Sequence, residues 1–295
     1  APCGRREWLP RGSKARSAQG AAMTDLGTSP LAHAATYPDR LDPGLLFPVD
    51  RAPQRAELGF DAASPFRGVD LWTAYELSWL EAGGKPAVAI ATFAVPADSP
   101  RIVESKSVKL YLAGFNLARF GSTAEVAAAL SRDLSEAAGA AVEIALLPVD
   151  GARAMPQAGF TGTCLDTLPL AVDDRRPVPE ALAAAVPRCS ESLYTRLFRS
   201  VCPVTGQPDY ACVEVSYRGA RIDRAGLLRY LVSFRRHPGF HEHCVERIFA
   251  DLWQRCRPEA LSVYARFTRR GGIDINPWRS SDGDRPPCRV RTARQ

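Results

Sequence analysis

Cys202 and Asp209 lie seven positions apart in the string Ser200-Val-Cys-Pro-Val-Thr-Gly-Gln-Pro-Asp-Tyr210, among two prolines and a glycine. That composition predicts a loop entering a strand at Ala211, which would hold thiol and carboxylate free of helical or ladder constraints. A thiol attacks as its thiolate and has an unperturbed pKa of about 8.5, so a nearby carboxylate can act as base and then as proton donor. The same pair also reads as a small buried cysteine and an aspartate making a turn bond.

Three further strings put polar groups where chemistry could use them. Phe240-His-Glu-His-Cys-Val245 opens a helix with an apolar stripe of Val245, Ile248, Phe249, Leu252, Trp253 and Cys256. His241 and Glu242 then fall in its first turn, beside free N–H groups and the positive dipole end, with side chains expected to point out of the core. A solvated helix start with a dipole-compensating carboxylate is the alternative. Zinc binding of the HExxH kind needs histidines four apart on one helical face, whereas His241 and His243 are two apart and diverge. In Val103-Glu-Ser-Lys-Ser-Val-Lys-Leu-Tyr111, Glu104, Ser105 and Lys106 sit at a helix entrance, where Ser105 can cap and N–H groups can meet an anion. Taken alone it is an ordinary cap. In Arg269-Arg-Gly-Gly-Ile-Asp-Ile-Asn-Pro277, the two glycines permit close backbone approach and Arg269 or Arg270 can hold a phosphate, unless they are arginines snorkelling at a strand end. No GxGxxG fingerprint, Walker loop or G-x-S-x-G elbow occurs. Residue by residue, the reading ends at a thiol enzyme.

The elements that must position these groups follow from periodicity. Leu71, Thr73, Tyr75, Leu77 and Trp79 alternate as one strand face, and Val88, Ile90, Thr92 and Ala94 follow a Gly83-Gly84 turn, which predicts a hairpin. Val108, Tyr111, Leu112 and Phe115 have helical spacing; Ser122 or Thr123 caps a second helix carrying Val126, Leu130 and Leu134, and a strand spans 142–147. After a proline-rich stretch, Val213, Val215 and Tyr217 mark a strand, Leu227, Leu231 and Phe234 a helix ended by Pro238-Gly239, and Val263, Ala265 and Phe267 a strand after the striped helix. The pattern strand, strand, helix, helix, strand occurs twice. It predicts an α+β protein of two tandem domains, with antiparallel sheets and paired helices on one face, and disfavours a doubly wound sheet. The expected boundaries are an extension over 1–22, with Met23 as a candidate start, an extended arm over 23–66 that wraps a partner or its own core, domains over 67–165 and 188–282 joined by a linker over 166–187, and a basic, solvated tail over 283–295.

Composition sets the class. The chain has 295 residues, 46% hydrophobic and 24% charged, enough apolar content for one large core or two small ones. Its longest apolar stretch, near 86–95, is too short to cross a bilayer. Five cations against one carboxylate in residues 1–22 supply four of the six net positive charges, so the remainder offers no footprint for a phosphate backbone and no nucleic-acid partner is expected. Eight cysteines without CxxC pairing suit a reducing compartment, and the basic start lacks an apolar core, so a cytoplasmic location is expected.

Taken in order, Glu104-Ser-Lys-Ser-Val-Lys-Leu-Tyr-Leu112, Cys202-Pro-Val-Thr-Gly-Gln-Pro-Asp209, Phe240-His-Glu-His-Cys-Val-Glu-Arg-Ile248 and Arg269-Arg-Gly-Gly-Ile-Asp-Ile-Asn-Pro-Trp278 resemble the NADPH-dependent 7-cyano-7-deazaguanine reductases of queuosine biosynthesis, in their long, tandem-domain form. Gly68-Val-Asp-Leu-Trp72, Tyr75-Glu-Leu-Ser-Trp-Leu80 and Leu228-Arg-Tyr-Leu-Val-Ser-Phe-Arg235 extend the resemblance over about 45–280. It implies two tunnelling-fold domains per chain, a homodimer, a small deazaguanine substrate and NADPH as cofactor, without metal or membrane. It implies Cys202 as the nucleophile that forms a covalent thioimide with the nitrile, Asp209 as its acid/base partner and His241 as substrate ligand and proton relay. Glu242 would read the guanine-like edge, Val103, Glu104 and Ser105 would complete the substrate clamp, and Ser105, Lys106, Arg270 and Gly271 would hold NADPH. The family's Trp after the aspartate is replaced by Tyr210. Two other classes compete. A zinc cyclohydrolase of the same fold needs three Cys/His ligands from a chain with four histidines. A non-catalytic base-binding protein would keep Glu242 yet tolerate loss of Cys202.

Overall fold

The computed structural model describes residues 37–59, 64–150, 156–282 and 289–295. The expected extension over 1–22, the candidate start at Met23, the first part of the arm and residues 283–288 of the tail lie outside the described residues. In chain order the elements are β1 (Pro48–Asp50), α1 (Ala52–Glu57), β2 (Arg67–Glu81), β3 (Pro86–Pro96), β4 (Arg101–Val103), α2 (Ser105–Ala113), β5 (Arg119–Phe120), α3 (Thr123–Ala138), β6 (Glu143–Leu147), β7 (Thr163–Cys164), β8 (Ala184–Val201), β9 (Pro208–Ile222), α4 (Arg224–Val232), α5 (His241–Cys256), β10 (Ala260–Phe267) and β11 (Ile273–Ser280). The protein is α+β.

One sheet runs through the described residues in the order β6-β3-β2-β11-β10-β9-β8-β7, antiparallel except where β5 joins β2 and β7 joins β8 in parallel. β2 and β11 lie side by side at its centre, with Ala74 opposite Ile273 and Val69 opposite Trp278. Two apolar clusters use this sheet. One packs Trp72, Leu77, Ala91 and Phe93 under Val108 and Tyr111 of α2 and Val126 and Leu130 of α3; the other packs Val213, Val215, Val263 and Phe267 under Leu227 of α4 and Val245, Ile248, Phe249 and Leu252 of α5. The helix stripes read from sequence are therefore the buried faces.

The structure corrects the sequence reading at several places. A bulge between Ala74 and Leu77 shifts the phase of β2, so Trp72 and Ala74, not Leu71 and Thr73, share the core with Leu77 and Trp79. Leu71 instead meets Tyr264 and Trp278 in a small separate cluster. The described part of the arm carries few regular elements, the three-residue β1 paired with β4 and the short α1, and Arg51 and Arg55 reach into the protein's own interior. β8 begins at Ala184, inside the stretch expected to be linker, and a further strand, β11, follows the glycine pair. The tail is not solvated throughout, for Arg289 donates to the Trp72 and Phe93 carbonyls and Arg294 to the Arg196 carbonyl.

Between the two clusters lies a buried charge network. Arg279 of β11 is fully buried and binds Asp70 of β2 at 2.8 Å and Glu246 of α5 at 2.8 Å. Arg51 reaches the same carboxylates at 2.5 and 3.3 Å, and Arg55 adds two bonds to Glu246 at 2.8 and 3.0 Å. Burial pushes the Glu246 carboxyl up, but the Arg279, Arg55 and Arg51 guanidiniums outweigh it and hold it at about 2. Breaking such a network from one side strands buried charge, so Arg279→Met should cost about 3–5 kcal/mol in denaturant unfolding. Since the Glu246 carboxyl is depressed in the folded protein, the stability it supplies is present above its ordinary value of 4.5 and drains away as pH falls towards 2. Glu246→Gln should flatten that acid limb in a series of unfolding curves.

Candidate active site

A narrow cleft of roughly 320 Å³ gathers Val103, Glu104, Ser105, Cys202, Pro203, Asp209, Gly239, Phe240, His241, Glu242, Arg270 and Ile275. Eight of the ten residues singled out from sequence thus face one space. Lys106 and Gly271 flank it, Lys106 in the first turn of α2 and Gly271 in the turn between β10 and β11.

The thiol sits on a tight turn. Cys202 follows β8 directly; its N–H donates to the Gln207 carbonyl at 2.8 Å, and its carbonyl accepts from Gly206 N–H at 3.0 Å. Gly206 has φ +69°, which a side chain would strain. The loop is shorter than the sequence suggests: Asp209 already belongs to β9, opposite Ser200. Ladder pairing, not loop freedom, therefore fixes the carboxylate. Burial pushes the Cys202 thiol up, but hydrogen bonds from the Thr205 hydroxyl, Arg270 and the Thr205 and Val204 N–H groups outweigh it and bring it below its ordinary value.

Asp209 is buried and takes His241 Nε2 at 3.4 Å on one oxygen and Arg270 Nη2 at 3.3 Å on the other. Burial raises this carboxyl; the hydrogen bond and charge of His241, with Arg270 and Lys109, draw it down further than burial lifts it. His241 itself is lowered by burial against the pull of Asp209, so ionised Asp209 facing neutral His241 is the state at neutral pH. The imidazole lies flat on Phe267, 3.7 Å between centroids, and its Nδ1 has no hydrogen-bond partner among the described residues. Arg270 is steered by the Thr205 hydroxyl at 3.3 Å and by Gln207.

The opposite wall comes from the other end of the sheet. Glu104, not Ser105, caps α2: its two carboxylate oxygens accept from Lys106 and Ser107 N–H at 2.8 Å each. The arm locks this corner, for Glu104 N–H donates to the Phe47 carbonyl and Phe47 N–H to the Ser107 hydroxyl. Glu242 does not point out of the core as its helix position suggested. It is 4% exposed and is pushed up to about 8 by burial and by the Asp70 carboxylate, against Arg51, its own backbone N–H and Arg279.

Lys109 escaped the sequence reading, although it lies one turn beyond Ser105. Its amine is lowered by burial and by Arg270 while Glu104, Asp209 and Cys202 pull it up, and its stem packs where a Cβ on Gly271 would stand, 3.1 Å away. Lys106, Lys109 and Arg270 thus fringe the cleft, a donor set that fits a phosphate-bearing cofactor, whereas the Arg269 guanidinium lies over the Tyr75 ring at 4.3 Å. Among the described residues no cluster of three or more His, Cys, Asp or Glu could hold a metal ion.

A thiol held towards its thiolate, an ionised carboxylate and a neutral imidazole around one small cleft can form and break a covalent bond to a small electrophile while moving its proton. The comparisons narrow that class. Residues 37–146 match the family model described as nitrile reductase, 7-cyano-7-deazaguanine-reductase N-term, and residues 208–286 match that of the QueF-like proteins. The chain is similar to the NADPH-dependent 7-cyano-7-deazaguanine reductase of Bordetella pertussis, 54% identical over 92% of this chain and 99% of that protein. Those of Chromobacterium violaceum and Chromohalobacter salexigens are 53% and 52% identical, each over 90% of this chain and 96% of the relative. The chain belongs to the 7-cyano-7-deazaguanine reductase family.

Removing the Arg270 charge should raise the Cys202 thiol. In Arg270→Met, the pH midpoint for alkylation of Cys202 by iodoacetamide, followed by peptide mass, should rise by about one unit.

Proposed function

We propose that the chain reduces the nitrile of 7-cyano-7-deazaguanine to the aminomethyl group with NADPH, through a thioimide on Cys202, as a step of queuosine biosynthesis. The observation that carries this reading is the meeting of Cys202, Asp209, His241 and Glu242 in one cleft, in a chain more than half identical to reductases of that name.

The chain's own residues supply binding and proton movement. The guanine-like edge of the base presents N–H donors in a plane, and the Glu242 carboxylate accepts them, with Val103, Glu104 and Ser105 closing the other side. Cys202 then stands at the nitrile. Its sulfur bonds to the nitrile carbon, one π bond opens, and the thiol proton passes by way of Asp209 to the nitrogen. His241 holds Asp209 from its Nε2 side and keeps Nδ1 free as an acceptor. Ser105, Lys106, Arg270 and Gly271 would hold NADPH, which would supply the hydride for two successive reductions. Cys202 leaves as thiolate between them, and two protons taken up overall complete the amine. The reading includes two tunnelling-fold units in one chain, in a homodimeric cytoplasmic enzyme. One sheet with two helix pairs supports that architecture. No helix among the described residues is long and apolar enough to cross a membrane.

Protein mixed with 7-cyano-7-deazaguanine should consume about two NADPH per base and, without NADPH, gain the mass of the base on Cys202. Cys202→Ala should lose both adduct and turnover while unfolding as the parent does; substantial reductase activity in that variant would overturn the mechanism. Glu242→Gln should weaken base binding at least tenfold, and an unchanged affinity would remove its assigned role.

A further inference from the structure

Behind the substrate cleft a second cavity of roughly 330 Å³ shares Val103 and Glu242 with it. Its apolar wall is Trp72, Phe93, Val95, Ile102, Val108 and Leu134, and its charged residues are Arg51, Asp70 and Glu242. Glu242 and Glu246 are one turn apart on α5, so the carboxylate that faces substrate and the carboxylate that anchors the buried network share a helix face. Three guanidiniums, of Arg51, Arg55 and Arg279, meet two carboxylates, of Asp70 and Glu246, and among the described residues Glu242 is a neighbouring carboxylate with no ion pair.

We infer that Arg51 and Asp70 are positioning residues for substrate binding: the opposed charges of this pair, one from the arm and one from β2, set how readily Glu242 becomes the carboxylate that accepts the base. The inference rests on the reading of Glu242 as the nucleobase ligand. The groups facing Glu242 are Asp70 from β2, Arg51 from the residue before α1 and Arg279 from β11, with Glu246 on its own helix. Asp70 opposes its ionisation and Arg51 and Arg279 favour it. Arg279 and Arg51 each bind both Asp70 and Glu246, but Arg279 comes from the sheet, whereas Arg51 enters from a short segment tethered by β1 pairing and by Arg51 N–H on the Pro100 carbonyl. The arm thereby reaches the chemistry without touching substrate.

The two members of the pair must act with opposite sign, which damage to the fold would not produce. Binding of 7-cyano-7-deazaguanine would be measured from pH 5.5 to 10 in full-length Cys202→Ala protein, where no adduct forms, with thermal unfolding recorded for each variant. Because Glu242 is protonated below about 8 and the bound form is ionised, affinity should rise about tenfold per pH unit up to that point. Arg51→Gln should move the bend upward by about one unit and weaken binding at pH 7 about tenfold; Arg51→Lys, which keeps the charge, should leave the bend in place. Asp70→Asn should move it downward by about one unit and tighten binding at pH 7 about fivefold. Adding Glu242→Gln should remove the bend in every background. Shifts of the same sign, or none, in folded Arg51→Gln and Asp70→Asn overturn the inference alone. A pH-independent affinity in the parent, or a bend that survives Glu242→Gln, overturns the reading of Glu242 beneath it. If Arg51→Gln fails to fold, the sign of the Asp70→Asn shift decides.

Discussion

The structure turns on a charge network that ought to be expensive. Taking Arg279 wholly out of water, with Asp70 and Glu246 beside it, costs several kcal/mol per ion unless every donor and acceptor is met. Here they nearly all are, because the partners arrive from four places in the chain: the arm, β2, β11 and α5. Hydrophobic contact would tolerate several packings of these elements. Bonds at 2.8 Å between named atoms tolerate few, so the network fixes how α5 lies on β11 and, through α5, where its first turn presents His241 and Glu242.

The cleft inherits that precision without being stabilised for its own sake. Cys202 sits buried on a turn that needs a left-handed glycine, Asp209 is ionised away from water, and Glu242 is held protonated in an apolar wall. Each is a cost, offset by the two cores on either side. The pKa values are driven apart by local surroundings: guanidinium and hydroxyl donors beside the thiol, burial and a like charge beside Glu242. Acid and base can then coexist near neutral pH on residues of ordinary type.

Much of this was legible in the sequence, and the failures share a cause. Helix stripes such as Val245, Ile248, Phe249 and Leu252 are local and were read correctly, as was the α+β class. The four strings that carry the chemistry could be found because turn residues, a helix start and glycine pairs punctuate them. What failed depends on partners distant in the chain. The bulge after Ala74 is set by pairing across the sheet, the burial of Glu242 by the β2 and arm residues packed around it, and the capping of α2 by Glu104 goes with the Phe47 contact. Lys109 was passed over because one turn of a helix looks like any other until Gly271 is seen against it. The arm looked irregular because three residues of β1 carry no period; only pairing with β4 makes them a strand.

The central pairing of β2 with β11 has a kinetic side. Tyr75 and Asp274, bonded across that seam, are 199 positions apart. Closing so long a loop must precede most of the reward for closing it, so the seam belongs to the late, slow part of folding. The cleft lies within that loop, for its residues from Val103 to Arg270 all fall between β2 and β11 in the chain, and Ile275 of β11 completes it. A nascent chain that has not yet made β11 lacks Ile273 and Ile275 of the first core, and with Ile275 part of the cleft wall. Appearance of the cleft therefore reports completion of the whole topology, and a thiol held towards its reactive form is assembled only once the fold that encloses it is complete.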